Sequence, residues 1–308
     1  MEDAVLGDCI EEYLEYLRCV KGRSSHTVTG YGEDLKHLSG QIGKDTSVQS
    51  ITELQLRNCI GLLNRQKYST ASVNRFISSV RGLFAYCKKN HYILEDVAIE
   101  IKTLKRAKHI PRYMTQSEVD SLCEEPDEND LLWAARDKAI FEMLYSSGCR
   151  VSELASLKFE DFTKDFRSAV VKGKGNKERY VFFEADAVKA LKAYLAERDL
   201  KYPAQSANGA NYVEYIFINQ KGTPLKEGGI RYIVGRYSGV EGVNKPVTPH
   251  SFRHTFATGM LLNGADVRMV QEMLGHSSIN TTQCYTHVTK EHLKDIYNQA
   301  FPHSGKKD

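Results

Sequence analysis

The sequence lacks the marks of several large classes of protein. Its seven cysteines are odd in number, lie scattered from Cys9 to Cys284 and form no C-x-x-C pair. That spacing argues against a disulfide framework and against a zinc knuckle, and it fits reduced thiols in a cytoplasm. No apolar run approaches the roughly 18 residues that a bilayer span requires. The start, Met1-Glu2-Asp3, carries neither the basic opening nor the apolar stretch of a secretory leader. A cytoplasmic location without membrane contact is therefore expected. Internal repeats and low-complexity tracts are also missing. So is an excess of one charge: 42 Lys+Arg face 39 Asp+Glu, a net of +3, and bulk charge names no partner. What is present is an ordinary globular balance, 41% hydrophobic and 26% charged over 308 residues, with a mean hydropathy of −0.44. At roughly 150 residues per domain, two domains are expected.

Helical periodicity fills the first hundred residues. Leu6, Ile10, Tyr13 and Leu17 define one apolar face, and Val73, Ile77, Val80 and Phe84 another. A third helix opens on the Thr52/Gln55 capping box and carries Leu56, Ile60 and Leu63. A fourth starts at Ser24-Ser25 and uses Val28, Tyr31, Leu35 and Leu38. Four amphipathic helices with short connections predict a small all-α domain. From Lys102 to Arg112 the chain is basic with no acidic residue, as a charged linker would be. Beyond it the Thr115/Glu118 box and the periodicity from Arg136 to Tyr145 predict a second, mainly helical domain. Its β signal is a hairpin, Ala169–Val171 and Tyr180–Phe183, around the basic turn Lys172 to Lys177. A short strand is expected at Tyr215–Ile218, and helix stops at Asn263-Gly264 and Leu274-Gly275.

The groups suited to chemistry gather in the second domain. They are Arg150 in Gly148-Cys149-Arg150-Val151-Ser152-Glu153-Leu154, Lys174 at the hairpin tip, and His250 and Arg253 in His250-Ser251-Phe252-Arg253-His254. His276 follows Leu274-Gly275, and Tyr285 comes nine residues later. Such a set can stabilise a pentavalent phosphate. Arg253 lies three residues after His250, so a helix puts both on one face. Arginine forks match pairs of phosphoryl oxygens, and two of them can hold the non-bridging oxygens as charge develops. Tyrosine, with a free pKa of about 10, needs a proton acceptor and a cationic setting before it attacks.

Each residue has a plainer reading too. Arg150 can pair with Glu153 as an ordinary helical ion pair. Lys174 can sit in a solvated turn, and His276 can serve a helix C-terminus. Tyr285 is one of 17 tyrosines. His250 and His254 have the spacing of a zinc pair, but Ser251 stands where a metalloprotease needs its glutamate.

Together, and in this order, these motifs resemble the tyrosine recombinase (phage integrase) family, most closely its Xer-type members. The resemblance covers nearly the whole chain. It departs at Phe252, where the family usually has leucine; both are apolar. It implies an N-terminal four-helix, SAM-like, core-DNA-binding domain over residues 1–106 and a basic linker over 107–112. A mainly α catalytic domain with a small hairpin, ending in a protomer-exchange helix, would follow over 113–308. Tyr285 would be the nucleophile, giving a 3′-phosphotyrosyl intermediate, and Lys174 the general acid for the leaving 5′-oxygen. Arg150 and Arg253 would clamp the phosphate, His250 would accept the proton or donate to the phosphate, and His276 would add a hydrogen bond. The chemistry implies no cofactor: no metal, no ATP, no redox group. The implied partners are a duplex recombination site, three further protomers of this chain or a paralogue, and a regulatory DNA translocase. An integrase of a mobile element, a type IB topoisomerase and a catalytically silent DNA-binding protein are the alternatives.

Nucleic-acid contact has separate support. From Arg75 to Arg112 nine basic residues, Arg75, Arg81, Lys88, Lys89, Lys102, Lys105, Arg106, Lys108 and Arg112, face three acidic ones, Glu95, Asp96 and Glu100. Such a stretch supplies phosphate contacts, although a solvated helix face would look the same. The segment Asp266–Leu274 offers Arg268 and Gln271 to base edges. After Tyr285, Leu293, Ile296, Tyr297 and Ala300 form an apolar stripe that must be covered, by its own domain or by the neighbour that the family suggests.

Overall fold

Helix caps written into the sequence set several of the element boundaries. The computed structural model describes residues 4–105, 113–129, 132–173, 177–203, 214–239, 246–275 and 290–301. Among them are twelve α-helices and one two-stranded sheet, and the chain divides into two units, Met1–His109 and Ile110–Asp308.

In the first unit α1 (Leu6–Glu15) runs into a π-helical turn, Tyr16–Val20, and α2 (Ser25–Ile42), α3 (Glu53–Arg65) and α4 (Thr70–Lys89) follow. Ser24 and Ser69 accept the backbone N–H groups of Thr27 and Ser72, and Thr52 and Gln55 close the expected box. Each such cap stabilises its helix by about 1 kcal/mol. The predicted stripes meet in one core of Leu6, Tyr13, Leu35, Leu56, Val73, Ile77 and Phe84, with their neighbours. On α3 the buried line is Leu56, Cys59 and Leu63, while Ile60 is only partly covered. Asn74 then fixes the departing chain, donating to the Leu104 carbonyl at 2.9 Å and accepting the Leu104 N–H at 2.7 Å.

The second unit is built on α6 (Ala134–Ser147), packed by α5 (Gln116–Glu128), α8 (Ala185–Lys201) and α10 (Pro249–Leu262). Phe141 of α6 stacks on Phe252 of α10, with centroids 5.8 Å apart. Phe252 therefore serves packing, as an apolar residue at that position should. A charge pair is buried in the same helix: Arg136 reaches Asp137 at 2.7 Å, and the Tyr237 hydroxyl donates to Asp137 at 3.2 Å. Antiparallel strands β1 (Ser168–Lys172) and β2 (Glu178–Phe182) pair Ala169 with Val181 and Val171 with Arg179.

The expected strand at Tyr215–Ile218 does not form. Two isolated bridges, Lys158 to Tyr215 and Ile218 to Pro224, stand in its place. Ile216, Phe217 and Ile218 are all buried, so the run has no solvent face and threads the core between different partners.

Helices α7 (Val151–Ser156), α9 (Glu227–Arg236), α11 (Val267–Leu274) and α12 (Lys290–Ala300) complete the unit. Pro249 occupies the first turn of α10, where its missing N–H is harmless. On α12 Leu293, Tyr297 and Ala300 are buried in this same unit, and the Tyr297 hydroxyl donates to the Ser146 carbonyl at 2.9 Å. In the single chain the apolar stripe is thus covered in cis. No helix among the described residues is long and apolar enough to cross a membrane.

Candidate active site

The site begins where α6 ends. Gly148 caps α6 in the left-handed conformation, φ 58°. A Cβ there would lie 2.4 Å from the Phe256 ring, so glycine is needed for both shape and space. This turn delivers Arg150 to the N-terminus of α7, and its own N–H donates to Glu153 Oε2 at 2.6 Å. Arg150 Nη1 also holds Glu153 Oε1 at 2.7 Å. The ordinary ion pair thus forms, and it does not use the whole fork: Arg150 Nη2 reaches the Gly275 carbonyl at 3.1 Å.

Arg253 comes from α10, on the buried side of the helix. It donates to the Gly148 carbonyl at 2.8 Å and to the Leu274 carbonyl at 2.6 Å. Burial and the neighbouring Arg150 and Arg179 bring its pKa down to about 10, so it stays charged at neutral pH. Arg179 of β2 completes the group, donating through Nε to the Met273 carbonyl at 2.7 Å and through both Nη atoms to Glu153 at 2.7 and 2.9 Å. Three guanidinium groups from three elements therefore end on three successive carbonyls, 273 to 275, at the C-terminus of α11. The negative end of the helix dipole favours them there. Gly275 caps α11 in the left-handed region, φ 64°, and a Cβ on it would press on the Arg179 stem at 3.1 Å.

His250 is exposed on the first turn of α10. Partial desolvation of its ring beside the arginines, then the charges of Arg231, Arg253 and Arg150, lower its pKa and favour the neutral imidazole. A cavity of about 730 Å³ opens beside it, lined among others by Val247, His250, Arg253, His254, Gln271 and Leu274. His254 is half-buried there. Among the described residues no group of three His, Cys, Asp or Glu side chains is placed to hold a metal ion.

Arg150, His250 and Arg253 are thus brought together. Lys174, His276 and Tyr285 lie outside the described residues. The described residues next to two of them are at the site: a Cβ on Gly173 would lie 3.6 Å from Arg150 Nη1, and Gly275 is bound by Arg150. The sequence reading gave Arg179 no role. Its signal was the hairpin alternation, since Arg179 is two residues from the buried Val181 and opposite the buried Val171, on the inward face.

The residues proposed for DNA contact fall on both units. On α4, Arg75, Arg81, Lys88 and Lys89 are exposed, and Nε and Nη2 of Arg75 donate to the two carboxylate oxygens of Asp34 at 2.9 and 3.0 Å. Lys105 is exposed, and Arg106 lies outside the described residues. On α11 Arg268 is exposed and Gln271 is half-buried.

Comparison with known proteins matches this arrangement to a family. The phage integrase family model covers residues 112–292, and the phage integrase N-terminal SAM-like domain covers residues 10–91. The chain belongs to the phage integrase family. It is 38% identical over 97% of its length to all of the tyrosine recombinase XerC of Treponema denticola. It is 37% identical over 95% of its length to 98% of the tyrosine recombinase XerD of Staphylococcus haemolyticus. A crystal structure of XerH site-specific recombinase bound to palindromic difH substrate superposes with a TM-score of 0.68 at 26% identity, covering 94% of this chain and 84% of that one. Within the family the chain is a site-specific tyrosine recombinase of the Xer type.

Proposed function

We propose that this recombinase cuts and rejoins a duplex recombination site through a 3′-phosphotyrosyl intermediate, with Tyr285 as nucleophile. The carrying observation is that Arg150 and Arg253, 103 positions apart in the chain, converge on the adjacent carbonyls of Gly275 and Leu274. Those oxygens stand where phosphoryl oxygens would accept. Two planar forks fixed by Glu153 and by Gly148 are a preorganised clamp for charge that develops in the transition state. Neutral His250 can take the Tyr285 proton or donate to a phosphoryl oxygen. Lys174 supplies the proton to the leaving 5′-oxygen, and His276 adds a donor. The bond energy stays in the tyrosyl phosphodiester until a 5′-hydroxyl returns, so no cofactor is called for.

Residues 1–106 act as the core-DNA-binding domain and 107–112 as the linker, with Arg81, Lys88 and Lys89 meeting phosphates. Arg75, Lys105 and Arg106 add to this basic set, and Arg268 and Gln271 read bases. Four protomers, of this chain alone or with a paralogue, join two sites in the cytoplasm. The groove that α12 fills in cis is the one that a neighbour's α12 would fill in the assembly. The Xer-named relatives favour resolution of chromosome or plasmid dimers, under a DNA translocase, over integration of a mobile element.

The test is a nicked recombination site that traps the covalent complex. Wild-type protein is expected to form a protein–DNA adduct, and Tyr285→Phe to bind the duplex within about threefold of wild type without forming one. An adduct that persists in the variant overturns the assignment of Tyr285.

A further inference from the structure

Of the three guanidinium groups at the end of α11, two belong to the proposed clamp and the third does not. The Arg179 side chain is 11% exposed and the Glu153 side chain 2%. Arg179 takes both carboxylate oxygens of Glu153, and Glu153 Oε1 in turn holds Arg150 Nη1 at 2.7 Å. One carboxylate therefore sets the spacing of two cations. The remaining Nε of Arg179 is on the Met273 carbonyl, and its stem lies against Gly275. We propose that Arg179 is a positioning residue for strand cleavage: it fixes Glu153, and through it the Arg150 fork, in one body with the end of α11 from which the chain runs to His276.

The inference rests on the clamp reading of Arg150. Without Arg179 the carboxylate keeps one guanidinium partner, and Arg150 is free to turn its whole fork onto Glu153, drawing Nη2 away from the Gly275 side where the phosphate is placed. A fork misdirected by about 1 Å loses rate far more than affinity. Lysine at 179 keeps the charge but cannot grip two oxygens and a carbonyl in one plane.

The experiment is single-turnover cleavage of the nicked site at saturating DNA, with DNA affinity and thermal midpoint measured alongside. Wild type is compared with Arg179→Lys, Arg179→Gln, Glu153→Gln and the Arg179→Gln/Glu153→Gln double variant. Arg179→Gln is expected to slow cleavage at least about tenfold while the DNA Kd moves less than about threefold, with Arg179→Lys recovering only part of the rate. The double variant should be no slower than the slower single one, because both remove the same support. Cleavage by Arg179→Lys and Arg179→Gln at the wild-type rate overturns the inference. So does a rate loss matched by equal losses in affinity and midpoint, or a double variant whose defects multiply. Should Arg179→Gln not fold, Arg179→Lys alone decides. Wild-type protein that binds the site yet forms no adduct overturns the recombinase reading itself, and the inference with it.

Discussion

Two glutamates eleven positions apart, Glu142 on α6 and Glu153 on α7, live in opposite electrostatic regions of the same unit. Burial pushes the carboxyl of each upward. At Glu153 the hydrogen bonds and charge of Arg179, with the N–H and fork of Arg150, outweigh burial and hold its pKa at about 2. At Glu142 burial is joined by Asp186 and Asp120, with Lys138 and a Cys123 hydrogen bond opposing, and the carboxyl rises to about 7. Lys138 is itself bound to Asp127. A cavity of about 470 Å³ there is lined by Asp120, Glu124, Asp127, Glu142, Glu184 and Asp186, among others. Local sequence does not separate the two glutamates. The sign of the charge delivered by distant elements does, and only one region is arranged to meet an anion.

The largest effect should come from removing the anion that holds the cations. Glu153→Ala leaves Arg150 and Arg179 side by side, one of them nearly buried, with the Gly275 and Met273 carbonyls as their partners among the described residues. Breaking a buried pair from one side costs about 3–5 kcal/mol, read as a drop in the urea midpoint at pH 7 with an unchanged slope. A loss below about 1 kcal/mol would show that carbonyls 273 to 275, rather than the carboxylate, hold the arginines.

Acid should undo the same interaction more gradually. The folded pKa of Glu153 is about 2, below the unfolded value of about 4.3, so its contribution is complete above pH 4.3 and disappears as the pH falls toward 2. A shift of this size is worth about 3 kcal/mol. The stability gap between wild type and Glu153→Gln should therefore close by about that amount between pH 6 and pH 2. A gap independent of pH would mean that Glu153 acts by shape rather than charge.

Local chemistry explains how much of this was legible in the sequence. The Thr52/Gln55 and Thr115/Glu118 boxes, the Ser24 cap and the Gly275 stop involve groups within a few residues of each other, and the structure has each of them. The run Tyr215–Ile218 departs from the expected strand because the local pattern is the same whether its apolar residues pair in a sheet or, like Ile216, Phe217 and Ile218, are buried among different partners. The pairing of Arg150 with Glu153 was legible as an alternative to a functional role, and it forms through Nη1 while Nη2 turns to the Gly275 carbonyl. Arg179 was not legible as part of the site, since its partners Glu153 and Met273 are 26 and 94 residues away in sequence. Lys174, His276 and Tyr285 rest on their motifs and lie outside the described residues.

The smallest effect belongs to the acidic region, and its sign is reversed. Because the folded pKa of Glu142 is raised to about 7, above the unfolded value of about 4.3, its full advantage to the folded chain holds below pH 4.3, falls as the pH rises, and is gone above about 7. Above that, the half-buried, ionised Glu142 faces Asp186 and Asp120. Glu142→Gln keeps the shape and a polar partner for Cys123 but cannot ionise. Discounted for partial exposure, the variant should be more stable than wild type by about 1–2 kcal/mol at pH 8.5, a rise of about 2–6 °C in Tm for a unit of this size. At pH 4, where both side chains are neutral, the two proteins should melt together. Equal midpoints at pH 8.5 would mean that Lys138 already neutralises the cavity, and that the contrast with Glu153 is one of degree rather than of sign.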